Sequence, residues 1–137
     1  MTPRFHRMAV LFARFGLAAG FLSSVADRFG AWGRPGVPGV RWGDFQHFVT
    51  QIETIALTPS AAAPVLAWIA TVLEAGFGLS LLIGLRTRTM GLGSGCLLLV
   101  FAVGMAFSPT GIHSVLTSSV LCAAGASMLL ASTADEA

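Results

Sequence analysis

The chain has 137 residues, of which 55% are hydrophobic and only 10% are charged. A soluble domain carries roughly 25% charged residues, so this composition excludes a water-soluble globular protein and favours an integral membrane protein. The net charge is +2, and the eight basic residues are arginines that form no dense run. That distribution excludes a nucleic-acid-binding protein.

Four predominantly apolar segments are long enough, or nearly so, to cross a membrane as helices. A crossing takes about 20 residues, because a helix rises about 1.5 Å per residue and the hydrocarbon layer is about 30 Å thick. The predicted spans are about 8–25, 62–85, 90–107 and 114–131. The turn signal Ser108-Pro109-Thr110-Gly111 separates the last two. We therefore predict an all-α fold, an integral membrane four-helix bundle in which residues 1–137 form a single transmembrane domain.

The first span follows two arginines, as the apolar region of a secretory signal does. Its apolar stretch continues past signal-peptide length, so we expect this segment to be retained as a membrane span.

The only sizeable polar region, residues 27–60, lies between the first two spans. It contains a Gly/Pro-rich stretch, residues 33–39, that cannot form regular helix. After Asp44, a suitable N-cap, apolar residues recur at helical spacing: Phe45, Phe48, Val49, Ile52 and Ile55. With Trp32 and Trp42 as anchors, this pattern predicts a short amphipathic helix in the membrane interface. The alternative is a solvent-facing loop that caps the bundle.

The arginines predict the orientation of the chain. Arg86 and Arg88 lie in the tight turn between the second and third spans, and short loops follow the positive-inside rule best. We therefore predict a multi-pass protein of the bacterial inner membrane, with both termini in the cytoplasm and the amphipathic helix outside.

Two ionisable residues fall inside the predicted spans, Arg14 in the first and Glu74 in the second. A charge at membrane depth costs several kcal/mol unless it is paired or faces water. Counted from the cytoplasmic ends, Arg14 lies about 10 Å deep and Glu74 about 15 Å deep, within reach of a long arginine side chain. We predict a buried Arg14–Glu74 pair, which would be either a structural clamp or a ligand or proton site.

Other charged residues lie near the ends of the spans. Asp27 and Arg28 are expected to form an interfacial ion pair or to be solvated, and His47 and Glu53 to be solvated. His113, at the outer mouth of the fourth span, is either a hydrogen-bond donor to a quinone or lipid headgroup or an ordinary interfacial histidine.

No redox centre is predicted within the chain. Cys96 and Cys122 lie about 9 Å apart along the membrane normal, beyond the roughly 7 Å limit for the Cα atoms of a disulfide, and are expected to be small core residues. No histidine lies at membrane depth to bind haem, and no cysteine cluster or HExxH motif is present. We predict no metal site, no covalently bound cofactor and no catalysis by the chain alone.

Small residues recur on the spans. Gly16 and Gly20 form a GxxxG motif in the first helix, and Gly91 and Gly95 form another in the third. Such motifs let helix backbones approach closely, either within the bundle or against a second chain.

The order and spacing of several motifs resemble the DoxX family of small four-helix bacterial membrane proteins. The resemblance covers almost the whole chain and is strongest at Glu74 and at the Gly84-Leu85-Arg86-Thr87-Arg88 sequence. It departs after Ile112, where Thr117 and Ser118 replace acidic and phenolic residues of the family pattern. The resemblance implies a component of a membrane redox system.

Three functions remain open at this point. The first is a non-catalytic or quinone-proximal membrane subunit of an oxidoreductase, with Arg14, Glu74 and His113 as the candidate ligand or quinone residues. The second is a small transporter or channel element in which the Arg14–Glu74 pair lines a polar pathway. The third is a structural subunit of a larger complex. The expected partners are the lipid bilayer and either other membrane subunits or further copies of the chain.

Overall fold

A computed structural model describes residues 2–133, and this part of the chain is all-helical. The helices, in chain order, are α1 (Pro3–Arg28), α2 (Phe45–Glu53), α3 (Ala63–Ile83), α4 (Thr87–Ala106), α5 (Gly111–Thr117) and α6 (Val120–Thr133). A single 3₁₀ turn, Ser60–Ala62, leads into α3.

Three helical segments are long and apolar enough to cross a membrane: Pro3–Arg28, Ser60–Ile83 and Thr87–Ala106. Large apolar side chains cover their outer surfaces, among them Phe12 at 82% exposure and Ile83 at 73%. Lipid can cover such a surface, whereas water cannot without a large free-energy cost. The chain is therefore a multi-pass membrane protein.

The fourth predicted span, 114–131, is not one straight helix. It is broken into α5 and α6, whose axes differ by 55°. Ser118 at the break is extended, and the hydroxyls of Thr117 and Ser118 donate to the carbonyls of His113 and Val115, at 2.8 and 3.2 Å. Serine and threonine compete with backbone hydrogen bonds in this way and interrupt helices. The bent pair makes up a fourth span only if both of its parts are counted together.

The contacts between helices close into a ring. Helix α1 packs on α3, α3 on α4, α4 on α6, and α6 on α1. We call the end where α1 ends and α3 begins the loop end, and the end where α3 turns into α4 the turn end. The main apolar core lies between α1, α3 and α6, with Leu17, Phe21, Leu81 and Leu130 buried at its centre.

Helix α2 caps the loop end, and its apolar face is covered by protein. Asp44 caps it as predicted, accepting the backbone N–H of His47 at 2.8 Å. Phe48 and Val49 are buried against small residues that recur along one face of α3: Ala63, Ala67 and Ala70. Because these alanines leave room for the rings, α2 packs on the bundle, as in the capping alternative. Its polar face is exposed.

The two GxxxG motifs have different surroundings. A Cβ atom added at Gly91 would lie 3.0 Å from the carbonyl oxygen of Ser127, and one at Gly95 would lie 2.9 Å from Met128. This motif therefore brings α4 and α6 together. A Cβ atom at Gly16 or Gly20 would meet no atom within 4 Å, so that motif faces outward.

Replacement of Gly91 by leucine should weaken the contact between α4 and α6. We expect Gly91→Leu to lower the free energy of unfolding by about 1–3 kcal/mol, because the added side chain overpacks the contact with the α6 backbone. Gly16→Leu is the matched control, since the same side chain there meets no neighbour. Denaturant unfolding of both variants in detergent micelles measures the difference, and equal stability of the two would contradict this account of the packing.

A buried ion pair beneath the capping helix

The most buried charge in the described part of the chain is Arg28, in the last turn of α1. Its Nη2 atom lies 2.5 Å from a carboxylate oxygen of Glu74, in the middle of α3. The side chains of Arg28 and Glu74 are only 1% and 4% exposed. Two charges removed from solvent to this extent need each other, because an unpaired buried charge carries a desolvation penalty of several kcal/mol.

The rest of the Arg28 guanidinium is enclosed by hydroxyl groups and aromatic rings. It donates to Thr71 at 2.8 Å and to Ser24 at 3.3 Å. Its central carbon lies 3.6 Å from the ring centroid of Phe48 and 5.0 Å from that of Trp42, within range for cation–π attraction. Arg28 therefore contacts α3, α2 and the connecting loop at once.

The neighbouring residue, Asp27, fastens the loop that returns from α1. Its Oδ2 atom accepts the backbone N–H groups of Arg41 at 3.0 Å and Trp42 at 2.9 Å. The indole N–H of Trp42 donates in turn to Gln51 on α2. Asp27 is 5% exposed, so its charge acts on the loop in a region of low dielectric where hydrogen bonds are strong.

Close backbone packing lets the Gly/Pro-rich loop fold this tightly. Gly43 has a φ of +72°, and a Cβ atom there would lie 2.5 Å from the backbone nitrogen of Pro35. The left-handed backbone favours glycine, and the close approach leaves no room for a side chain. The loop is thereby folded back on itself just before it enters α2.

The predicted pair between Arg14 and Glu74 is wrong, because Glu74 pairs with Arg28. The predicted pair requires the start of the first span and the end of the second to lie at the same level at the turn end. In the structure Arg14 lies beside Gly84, and the eleven residues of α1 before Arg14 lead beyond the end of α3. That register brings Arg28 level with Glu74.

The expectation that Asp27 and Arg28 are solvated or paired at the interface is also wrong. Both side chains are buried and bonded within the protein. The sequence contained a signal for this: an arginine at the end of a span followed by a loop rich in aromatic residues, whose rings surround the cation.

The three candidate ligand residues do not form one site. Glu74 is enclosed beneath α2, and Arg14 lies beside Gly84, ten residues and therefore about 15 Å further along α3. His113 is exposed on α5. Cys96 and Cys122 are free thiols exposed on the outer surface, so their assignment to the core is wrong. Within residues 2–133, no three His, Cys, Asp or Glu side chains are grouped as a metal site requires.

His47 and Asp44 are in contact on the surface of α2. The imidazole Nδ1 lies 2.8 Å from the Asp44 carboxylate. The carboxylate also accepts backbone N–H groups at the start of α2, and these hydrogen bonds hold the pKa of Asp44 below its ordinary value.

Comparison with known proteins identifies one family. The family model described as methylamine utilisation protein MauE matches residues 6–115, which include every residue of the buried network. No curated protein and no solved structure matches the chain. The match is to a family other than DoxX, so the DoxX resemblance read from the short motifs is wrong. Those motifs are short runs of glycine, leucine and arginine, which many membrane helices share.

Removal of Glu74 should destabilise the protein severely. We expect Glu74→Ala to lower the free energy of unfolding by about 3–5 kcal/mol, because it leaves Arg28 buried without a counter-ion. The double variant Arg28→Met/Glu74→Leu should recover most of that loss, since it removes both charges. Glu53→Gln, an exposed acid on α2, is the control and should change stability by less than about 0.5 kcal/mol. Denaturant unfolding in micelles measures all three variants. A Glu74→Ala variant as stable as the control would show that the Arg28–Glu74 pair does not stabilise the fold.

Acid should loosen the start of α2. Because the pKa of Asp44 is lowered in the folded protein, its contribution to stability is present above its ordinary value of 3.8 and is lost as the pH falls through the lower folded value. Hydrogen exchange of the α2 amides, corrected for intrinsic rates, should show this loss of protection below about pH 4. Asp44→Asn retains a capping oxygen without the charge, so its α2 should lack that pH dependence.

Proposed function

The chain belongs to the MauE family of membrane proteins, and we propose that it serves as a non-catalytic membrane subunit of a redox system that acts on an amine. The description of the family concerns methylamine utilisation, and oxidation is a direct chemical route by which an amine becomes a nutrient. The proposal assigns that oxidation to a partner protein and assigns to this chain the membrane attachment and a docking surface.

The observation that carries this proposal is the enclosure of the Arg28–Glu74 pair beneath α2. A charged pair that lined a transport pathway or bound a substrate would need access to water, whereas these side chains are enclosed by Trp42, Phe48 and Thr71. Buried in this way, the pair fixes α1, α3 and the loop in one arrangement. A clamp of this kind favours a supporting role over transport.

The clamp holds α2 so that its polar face points away from the bundle. The exposed residues on this face are Gln46, His47, Thr50, Gln51 and Glu53. Phe48 and Val49 fix the opposite face of α2. The polar face is therefore already ordered, so that binding of a partner costs little conformational entropy there. We assign the docking surface for the redox partner to this face.

The membrane placement that accompanies the proposal has four spans, with α5 and α6 together as the fourth. Arg4, Arg7, Arg86 and Arg88 lie toward the turn end, which supports a cytoplasmic turn end in the bacterial inner membrane, with both termini inside. At the loop end, Phe29 and Trp68 are 58% and 52% exposed and pack with Phe45, as in the aromatic belts at membrane surfaces. The α2 face then lies outside the cytoplasm.

Purification from the native host in a mild detergent tests the proposed subunit role. We expect the tagged chain to retain a redox protein in fixed stoichiometry, and the purified complex to reduce an artificial electron acceptor when an amine is added. Thr50→Arg/Glu53→Arg on the α2 face should reduce retention at least about tenfold, as the loss of about 1.4 kcal/mol does. Ser132→Arg, exposed on α6 at the turn end, is the matched control.

Two outcomes would contradict the proposal. One is a chain that purifies alone, without a redox protein, under conditions in which the membrane complex stays intact. The other is equal retention of the partner by the α2 variant and by the Ser132 control. Extraction of lipids from the same sample tests the quinone expectation directly, because a quinone in stoichiometric amount would make this subunit quinone-proximal.

A further inference from the structure

Arg14 lies within the apolar stretch of α1, and the buried network at the loop end does not use its charge. It lies in the half of α1 nearer the turn end, and its guanidinium packs over Gly84, where α3 ends. A Cβ atom at Gly84 would lie 2.7 Å from Nη1 of Arg14, so any larger residue there would displace the arginine. Gly84 also has a φ of +79°, which favours glycine independently.

No acidic group balances Arg14 in the described part of the chain. Its Nε atom is fully buried without a hydrogen-bond partner, and its ring contact is with the adjacent Phe15, at 5.1 Å. The acids of residues 2–133 are Asp27, Asp44, Glu53 and Glu74, all on the loop-end side of Gly84, and Glu74 is already paired. An anion beside Arg14 would balance a charge that these acids leave unpaired.

The surroundings of Arg14 favour an anion. Helix α4 begins three residues after Gly84, and its first turn contains no acid and has no side-chain cap. The N–H groups of a helix's first turn carry the positive end of the helix dipole, which attracts phosphate and other anions. Arg86, exposed just before that helix, lies within about 7 Å of Gly84, the span of two extended residues.

The depth and the neighbours of this site identify the anion as part of a lipid. The 21 residues of α3 measure about 31 Å, the thickness of the hydrocarbon layer, so Gly84 lies at the level of the headgroup phosphates. The side chains of Ile83 and Leu85, which flank Gly84 in the sequence, are 73% and 54% exposed and offer an apolar surface for acyl chains. A free inorganic anion would gain nothing from that surface.

We propose that Arg14, Arg86 and the first turn of α4 bind the phosphate of an anionic phospholipid at the turn end. The planar guanidinium of Arg14 can donate two parallel hydrogen bonds to phosphate oxygens, a geometry that lysine cannot reproduce. The lipid supplies the counter-ion that the described residues lack beside Gly84. The site is separate from the α2 face, so it does not depend on the proposed redox role.

Thermal unfolding of the delipidated protein tests the site. Protein in dodecyl maltoside receives dioleoylphosphatidylglycerol, dioleoylphosphatidylcholine or inorganic phosphate, and unfolding is followed by tryptophan fluorescence. We expect phosphatidylglycerol to raise Tm by about 5 °C more than phosphatidylcholine. Arg14→Gln should lose that difference, and Arg14→Lys should keep part of it. Arg4→Gln, an exposed arginine nearer the N-terminus of α1, is the matched control and should respond like the wild type.

Three results would overturn the proposal: equal shifts with both lipids, an unchanged phosphatidylglycerol response in Arg14→Gln, or a shift of the same size with inorganic phosphate alone. The last would assign the site to a free anion. If Arg14→Gln does not fold, native mass spectrometry of the wild type and of Arg86→Gly tests the site instead. Glycine suits position 86 because the backbone there is left-handed (φ 43°). From an equimolar lipid mixture, the wild type should retain phosphatidylglycerol in at least about tenfold excess, and Arg86→Gly in a smaller excess. Equal retention of the two lipids by the wild type would overturn the site.

Discussion

Burial of the Arg28 charge is the constraint on which the loop end of this protein depends. A guanidinium that is 1% exposed must have its charge balanced, and Glu74 does this while Thr71 and Ser24 accept hydrogen bonds from its Nη atoms. The rings of Phe48 and Trp42 then cover the cation from α2 and the loop. Because this one side chain joins α1, α2, α3 and the loop, the positions of those elements are coupled.

Small residues and large rings at the loop end are complementary. Ala63, Ala67 and Ala70 leave a groove along α3, and Phe48 and Val49 of α2 fill it. Asp27 holds the preceding loop through two backbone N–H groups, and Gly43 allows that loop to pass close to its own backbone. These contacts make the polar loop part of the packed structure. They also fix the position of α2, so its outward face is a defined surface.

The two ends of the molecule handle charge differently. At the loop end Glu74 lies within the protein and neutralises the buried Arg28, and Asp27 is buried against backbone N–H groups of the loop. At the turn end Arg14 has no acid partner in the described residues, and a spanning protein has the headgroup layer there as a source of anions. The charge at the loop end is already neutralised, and the partner proposed there is a protein. The charge of Arg14 at the turn end is not neutralised by any described acid, and the ligand proposed there is an anionic lipid.

The sequence by itself determined what depends on local chemistry. Hydropathy predicted the membrane helices, Asp44 predicted the start of α2, and Ser108-Pro109-Thr110-Gly111 predicted the turn after α4. Tertiary structure alone decided which charges meet. The partner of Glu74 depends on how far α1 extends past α3. That register is not encoded in composition or spacing, because an apolar helix can slide along its neighbour by several residues while it remains equally well buried in lipid.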